Sequence, residues 1–153
     1  MQPLRPVRVI GVGGKGPEDV VVAGDGTVYT GLEDGRLVAV DPGTGSVTQV
    51  GDTGARPLGI ELLDDGRLLV ADAHRGLLVV DPDDGAVEEL VTIVDGKPMV
   101  FCNNAAVGRN GDIWFSDSST LHPIERWRND LVEDTRTGRL LHRAVDGSVI
   151  TVI

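Results

Sequence analysis

With one cysteine in the whole chain, Cys102, an intrachain disulfide or an all-cysteine metal cage is excluded. Aromatic residues are just as scarce, at 3%, so a core has to be assembled from Val, Leu and Ile. Positive charge is thin: 14 Lys and Arg stand singly against 24 Asp and Glu, for a net charge of −10. Such a surface repels phosphate backbones and anionic lipid, so neither nucleic acid nor membrane is expected as a partner. No apolar run reaches transmembrane length, and Met1 to Ile10 has Arg5 and Arg8 but no apolar h-region or small-residue cleavage site. The compartment expected on these grounds is the cytoplasm.

What is present is enough for one domain. A chain of 153 residues with 41% hydrophobic content can bury a core, and 21 glycines imply many turns. Self-similarity then organises the chain. Asp25-Gly26 returns 40 residues on as Asp65-Gly66 and 45 further on as Asn110-Gly111, and Asp41-Pro42 returns 40 on as Asp81-Pro82. A period of about 40–45 residues that holds several short strands is the mark of β-propeller blades. In the first unit Asp19 to Ala23, Thr27 to Gly31, Arg36 to Asp41 and Ser46 to Val50 read as strands. In the second, Leu58 to Leu63, Arg67 to Ala71, Gly76 to Asp81 and Ala86 to Leu90 do the same.

The fold class expected is all-β, a partial propeller of three four-stranded blades forming a single domain over 1–153. The blades fall at about 17–55, 56–98 and 99–153. Val20-Val21-Val22 and Leu77 to Val80 are continuous apolar runs, expected to be covered on both faces. Val7 to Gly11 reads as an extra N-terminal strand, and Ile150 to Ile153 stops within a strand, so a truncated ring is expected. Up-and-down strand order gathers Gly16 to Asp19, Gly31 to Gly35, Arg56 to Leu58, Asp72 to Arg75, Phe101 to Asn104 and Asp117 to Gly138 on one face. The third unit inserts Leu121 to Asp134 there, read as a lid or short helix.

Several patterns are set aside. Gly11 to Gly16 fits a dinucleotide fingerprint, but Pro17 and the valines follow where a helix must begin. Asp81 to Gly85 resembles a calcium loop whose Gly falls early and which no Glu closes, so it is read as a turn. His74, His122 and His142 are expected at the surface, and Asp72 and Asp117, at matching repeat positions, as loop caps. Ser118 and Ser119 lack a nucleophile elbow.

Five stretches carry a family resemblance. Gly16-Pro17-Glu18-Asp19, Arg56-Pro57-Leu58-Gly59, Ala71-Asp72-Ala73 and Phe101-Cys102-Asn103-Asn104 resemble the strictosidine synthase-like and gluconolactonase superfamily. Trp114-Phe115-Ser116-Asp117-Ser118-Ser119 is similar to its Tyr-Phe-Thr-Asp-Ser-Ser stretch. The resemblance implies a six-bladed ring with a divalent cation, usually calcium, at the top of the channel, held in part by Glu18 and Asn103. Oxygen donors of that kind suit calcium, and no His or Cys cluster argues for zinc. In the related paraoxonases an Asp that helps hold a second calcium stands where Asn104 does, and a His proposed as base stands where Leu58 does. The remaining ligands, and the catalytic Glu of strictosidine synthases, belong to later blades, so calcium is expected to bind weakly and no catalytic residue is assigned.

The function implied is a calcium-dependent hydrolase of lactones or esters acting on a small-molecule substrate. The alternatives are a non-catalytic small-molecule or partner-binding propeller, an inactive truncated product, or amine–aldehyde condensation of the strictosidine type. A homodimer joining the third blade of each copy to the first of the other is expected as a way to close the ring.

Overall fold

The structure, a computed structural model, describes residues 7–153. Its punctuation is chemical. At Asp25, Asp65 and Asn110 the side-chain Oδ1 accepts the N–H two residues on, and the intervening Gly26, Gly66 and Gly111 take φ of +91°, +89° and +85°. Only glycine enters that region without steric cost. Each turn joins the first two strands of a four-stranded antiparallel meander.

The first sheet is β1 (Val20–Val22), β2 (Val28–Gly31), β3 (Arg36–Val40) and β4 (Val47–Asp52). The second is β5 (Pro57–Leu62), β6 (Leu68–Asp72), β7 (Gly76–Val80) and β8 (Val87–Val91). A small hairpin, β9 (Ile93–Val94) with β10 (Lys97–Pro98), leads to the third: β11 (Cys102–Val107), β12 (Ile113–Asp117), β13 (Arg139–Arg143) and β14 (Val149–Thr151). Spatial order follows chain order in all three, as the repeat predicts. Pairing runs past β14, through Val152 N–H to the Leu140 carbonyl and Leu140 N–H to the Ile153 carbonyl. Asp81 to Gly85 is a turn, with Oδ1 of Asp81 accepting the Asp83 N–H.

Two apolar layers hold the sheets together. Leu37 with Val21 and Tyr29 of the first blade meets Ile60, Leu68, Val70, Leu78 and Val80 of the second. On the far side of that blade, Leu69, Ala71, Leu77 and Val79 meet Cys102, Ala105, Ile113, Phe115 and Leu141 of the third. Every residue of β6 and β7 is buried as a result. The expectation for Val20-Val21-Val22 fails on one face: Val21 packs toward the second blade, but Val20 and Val22 are 57% and 60% exposed. Alternation turns them to the outward face of the first blade, where no neighbouring blade lies.

A second correction concerns Val7 to Gly11, which forms no strand. Side chains hold it instead. The Arg8 guanidinium donates to the carbonyls of Pro42, Gly43 and Thr44 at 2.9–3.1 Å, and Ile10 and Val12 pack on Leu32, Val38 and Val40. The segment is thereby laid across the outward face of the first blade rather than along a strand edge.

The insertion is helical. A 3₁₀ turn (Ile124–Arg126) runs into α1 (Trp127–Glu133), which ends at Asp134 in the left-handed region. Ser119 Oγ accepts the N–H groups of Leu121 and His122 and so turns the chain toward the helix.

Candidate functional site

Strand registers superimpose the blades. Val20 pairs with Thr30, Ile60 with Val70 and Ala105 with Phe115, so these three innermost-strand residues are equivalent. Counting back two residues gives Glu18, Leu58 and Asn103; two more gives Gly16, Arg56 and Phe101. These six positions form two tiers at the top of the inner strands. In the second and third blades a bulge precedes Ile60 and Ala105 and re-aims this stretch of chain.

The tiers open into a cavity of about 440 Å³ lined by Glu18, Arg56, Phe101, Asn103, Ser118 and Ser119 and, from the insertion, Ile124, Trp127, Asp130 and Leu131. The structure therefore brings Glu18 and Asn103 to one cavity. Asn103 is half-buried, and its Nδ2 donates to Ser118 Oγ at 2.9 Å, while its amide oxygen meets no donor among the described residues. Glu18 is exposed, and no donor among the described residues meets its carboxylate. Leu58 fills the tier between them, 1% exposed, packed with Ala73, Phe101 and Ile124. Asn104 accepts the Ala105 N–H at 2.8 Å, the same local bond that Asp19 makes to Val20. Asp19 also reaches across to the Ile60 N–H of the second blade.

The lid is fastened by polar hubs. Ser119 and Thr135 hydroxyls donate to Asp130 and hold its carboxyl below the usual range. His74 Nε2 lies 2.9 Å from Glu125 Oε1, tying the second blade's loop to the insertion, and His122 lies 2.7 Å from Glu133. Asp72 and Asp117 cap loops, as expected. Asp117 is fully buried; Oδ1 accepts the Phe101 N–H at 2.8 Å and Oδ2 the Arg139 guanidinium at 2.7 Å. Asp72 Oδ1 accepts the N–H groups of His74 and Arg75, and its buried Oδ2 has no partner among the described residues. Cys102 pairs with Asp117 across β11 and β12, and its thiol is pushed up by burial and then by the charges of Asp117 and Asp72.

Glu18 and Asn103 suit a hard divalent cation in kind, and they supply two of the about six to eight oxygens that calcium takes. Among the described residues no group of three or more His, Cys, Asp or Glu is gathered closely enough to hold a metal. Sequence reasoning missed Arg56, Trp127 and Asp130 as cavity residues. For Arg56 the signal was its repeat position, level with Gly16 and Phe101.

Three meanders, each packed face to face on the next around shared inner strands, define part of a β-propeller. Solved structures agree. A putative gluconolactonase aligns with a TM-score of 0.73 at 19% identity, over 95% of this chain and 51% of that one. A gluconolactonase from Xanthomonas campestris aligns with a TM-score of 0.65 at 21% identity, over 83% and 43%. At these identities the likeness shows the fold. The particular family follows from sequence. The model described as "Strictosidine synthase-like, N-terminal" matches residues 2–40. Protein STRICTOSIDINE SYNTHASE-LIKE 13 of Arabidopsis thaliana is 35% identical over 74% of this chain and 35% of its own length. Adipocyte plasma membrane-associated protein of Rattus norvegicus is 36% identical over 82% and 37%. The chain thus spans about a third of the length of these curated relatives, and over that part it falls in the strictosidine synthase-like and gluconolactonase superfamily. No helix among the described residues is long and apolar enough to cross a membrane.

Proposed function

We propose that this chain supplies the first-blade and third-blade donors, Glu18 and Asn103, to a calcium-type cation site in a hydrolase of small lactones or esters. The observation that carries the reading is that two hard-oxygen side chains at equivalent repeat positions line one lidded cavity. A bound cation would polarise the acyl carbonyl and stabilise the developing oxyanion. The chain's own residues orient and enclose. Ser118 fixes the Asn103 amide so that its oxygen faces away from Ser118, and the Ile124–Glu133 segment covers the cavity and limits water. Leu58 cannot accept a proton, so the second blade's position in this tier contributes no general base.

Calorimetric titration of the chain with calcium tests the reading. The expected dissociation constant is about millimolar, the weak end of protein sites, and Glu18→Gln should abolish the heat. Undiminished affinity in Glu18→Gln overturns the assignment, and a submicromolar constant would mean that further ligands had been overlooked. A second reading, a propeller that binds without turnover, draws support from Leu58. The two separate on 4-nitrophenyl acetate: calcium-dependent release that Glu18→Gln removes favours the hydrolase.

A further inference from the structure

The proposed cation donors leave the cavity's one cationic side chain without a role. Arg56 lines the main cavity and also an adjoining recess of about 400 Å³ with Glu33 and His74. Ile124 and Trp127 border both spaces, so Arg56 stands beneath the lid where the two meet.

Several arginines among the described residues meet no carboxylate, and of these Arg56 alone lines the main cavity. Arg36, Arg67, Arg75, Arg136 and Arg139 each meet a carboxylate at 2.6–2.8 Å. Arg56 meets none among the described residues. Among the described residues its side chain makes one hydrogen bond, Nη1 to the Gly16 carbonyl at 2.9 Å, which leaves the rest of the guanidinium's donor fork over. Room is reserved for it as well. A β-carbon on Gly16 would stand 2.9 Å from Nη2 and 3.0 Å from Nη1, so the glycine at Arg56's own repeat position in the first blade lets the guanidinium lie across it. The adjacent wall is apolar: Phe101, Ile124, Trp127 and Leu131.

We propose that Arg56 is the anion-recognition residue of this cavity and that its ligand is a small monocarboxylate with an apolar body. A planar guanidinium matches a carboxylate through two parallel hydrogen bonds, and a half-buried site strengthens them. The cavity lies in the size range of small-molecule sites, and its apolar wall takes the body of the ligand. Asp130 is engaged by hydroxyls and does not compete for Arg56. Glu18, the cavity's other carboxylate, repels a second anionic group and accepts a hydroxyl. Resting on the hydrolase reading, this pairing narrows the class to a hydroxy acid. Water added across the acyl C–O bond of a lactone leaves a carboxylate, a hydroxyl and one released proton, one group for each end of the cavity.

The test uses the full chain, 3-phenylpropionate and its neutral analogue 3-phenylpropanol, with binding followed by protein-detected NMR in EDTA. The acid should bind more tightly than the alcohol and shift the Arg56 Nε–H and Trp127 indole signals. Arg56→Gln should weaken the acid ~10-fold or more and leave the alcohol within about twofold. Arg56→Lys, which keeps a cation and a donor, should retain part of the preference, and Trp127→Ala should weaken both ligands. Equal affinity for acid and alcohol, or full acid binding in Arg56→Gln, overturns the proposal. So does wild-type binding that EDTA abolishes, because the carboxylate would then sit on a cation. Loss of calcium binding in Glu18→Gln with acid binding in EDTA intact bears only on the cation reading.

Discussion

Replacing Asp117 by alanine removes one fully buried carboxylate that joins three parts of the third blade. It belongs to β12, accepts the N–H of Phe101 just before β11, and pairs with Arg139 of β13. The Phe101 N–H would lose its acceptor, which costs about 1–3 kcal/mol when the donor is buried. Arg139, 15% exposed, would keep only Asp95, at 3.5 Å and itself mostly in water. Breaking a buried ion pair costs about 3–5 kcal/mol, and residual solvent contact at Arg139 puts this case at the low end. Because both effects stem from one carboxylate and overlap, we expect a net loss of about 4 kcal/mol, a large part of the ~5–15 kcal/mol that holds a domain folded. Asp117→Asn keeps an acceptor for Phe101 and should lose about half as much. Urea unfolding read by circular dichroism measures both, with Asp64→Ala, an exposed site, as a control within about 0.5 kcal/mol. A loss under about 1 kcal/mol for Asp117→Ala, or equal losses for Ala and Asn, would refute the reasoning.

Cys102, buried with a raised thiol, should resist a disulfide reagent at pH 8 until the chain unfolds; rapid labelling of native protein would contradict its burial. The same shift has a pH consequence. The unfolded thiol ionises near ~8.5 while the folded one stays protonated, so stability falls as pH rises past that value, and Cys102→Ala should flatten this fall. Gly59→Ala should cost about 1–3 kcal/mol by overpacking, since the new carbon meets Asn104 Oδ1 at 2.6 Å and the Asn103 carbonyl at 2.9 Å. The outward faces carry Val20, Val22, Trp114 and Ile150, each at least 40% exposed, and we propose that isolated copies associate through them. Sedimentation equilibrium should show species above 16.2 kDa, and a concentration-independent monomer that binds no hydrophobic dye would refute this.

Strands were legible because turn chemistry is local: an Asp or Asn before Gly announces itself without knowledge of neighbours. The period then gave the number of blades and the face of the insertion. Val20 and Val22 misled because an apolar run reports what a strand can bury, whereas exposure depends on whether another blade lies against it. Val7 to Gly11 misled for a related reason, since only Ile10 packs, side-on, while Val7 and Val9 stay exposed and Arg8 caps a turn. Glu18 and Asn103 were named through resemblance, and only three-dimensional register shows that they are equivalent positions. Arg56 was visible only as part of a resemblance stretch and of one of the loops gathered on the top face. That it meets no carboxylate, and that Gly16 makes room for it, are facts of distance which spacing does not carry.

Among the described residues the middle blade alone has a blade against each face, and each outer blade packs its core against it. Such an array opens from its ends, so amide exchange should be slowest along β6 and β7 and faster in β1 and β14. A ligand filling the top cavity would meet the first blade at Glu18, the second at Arg56 and the third at Asn103. It would act as a clasp across the units, and its binding free energy would oppose the loosening of either end.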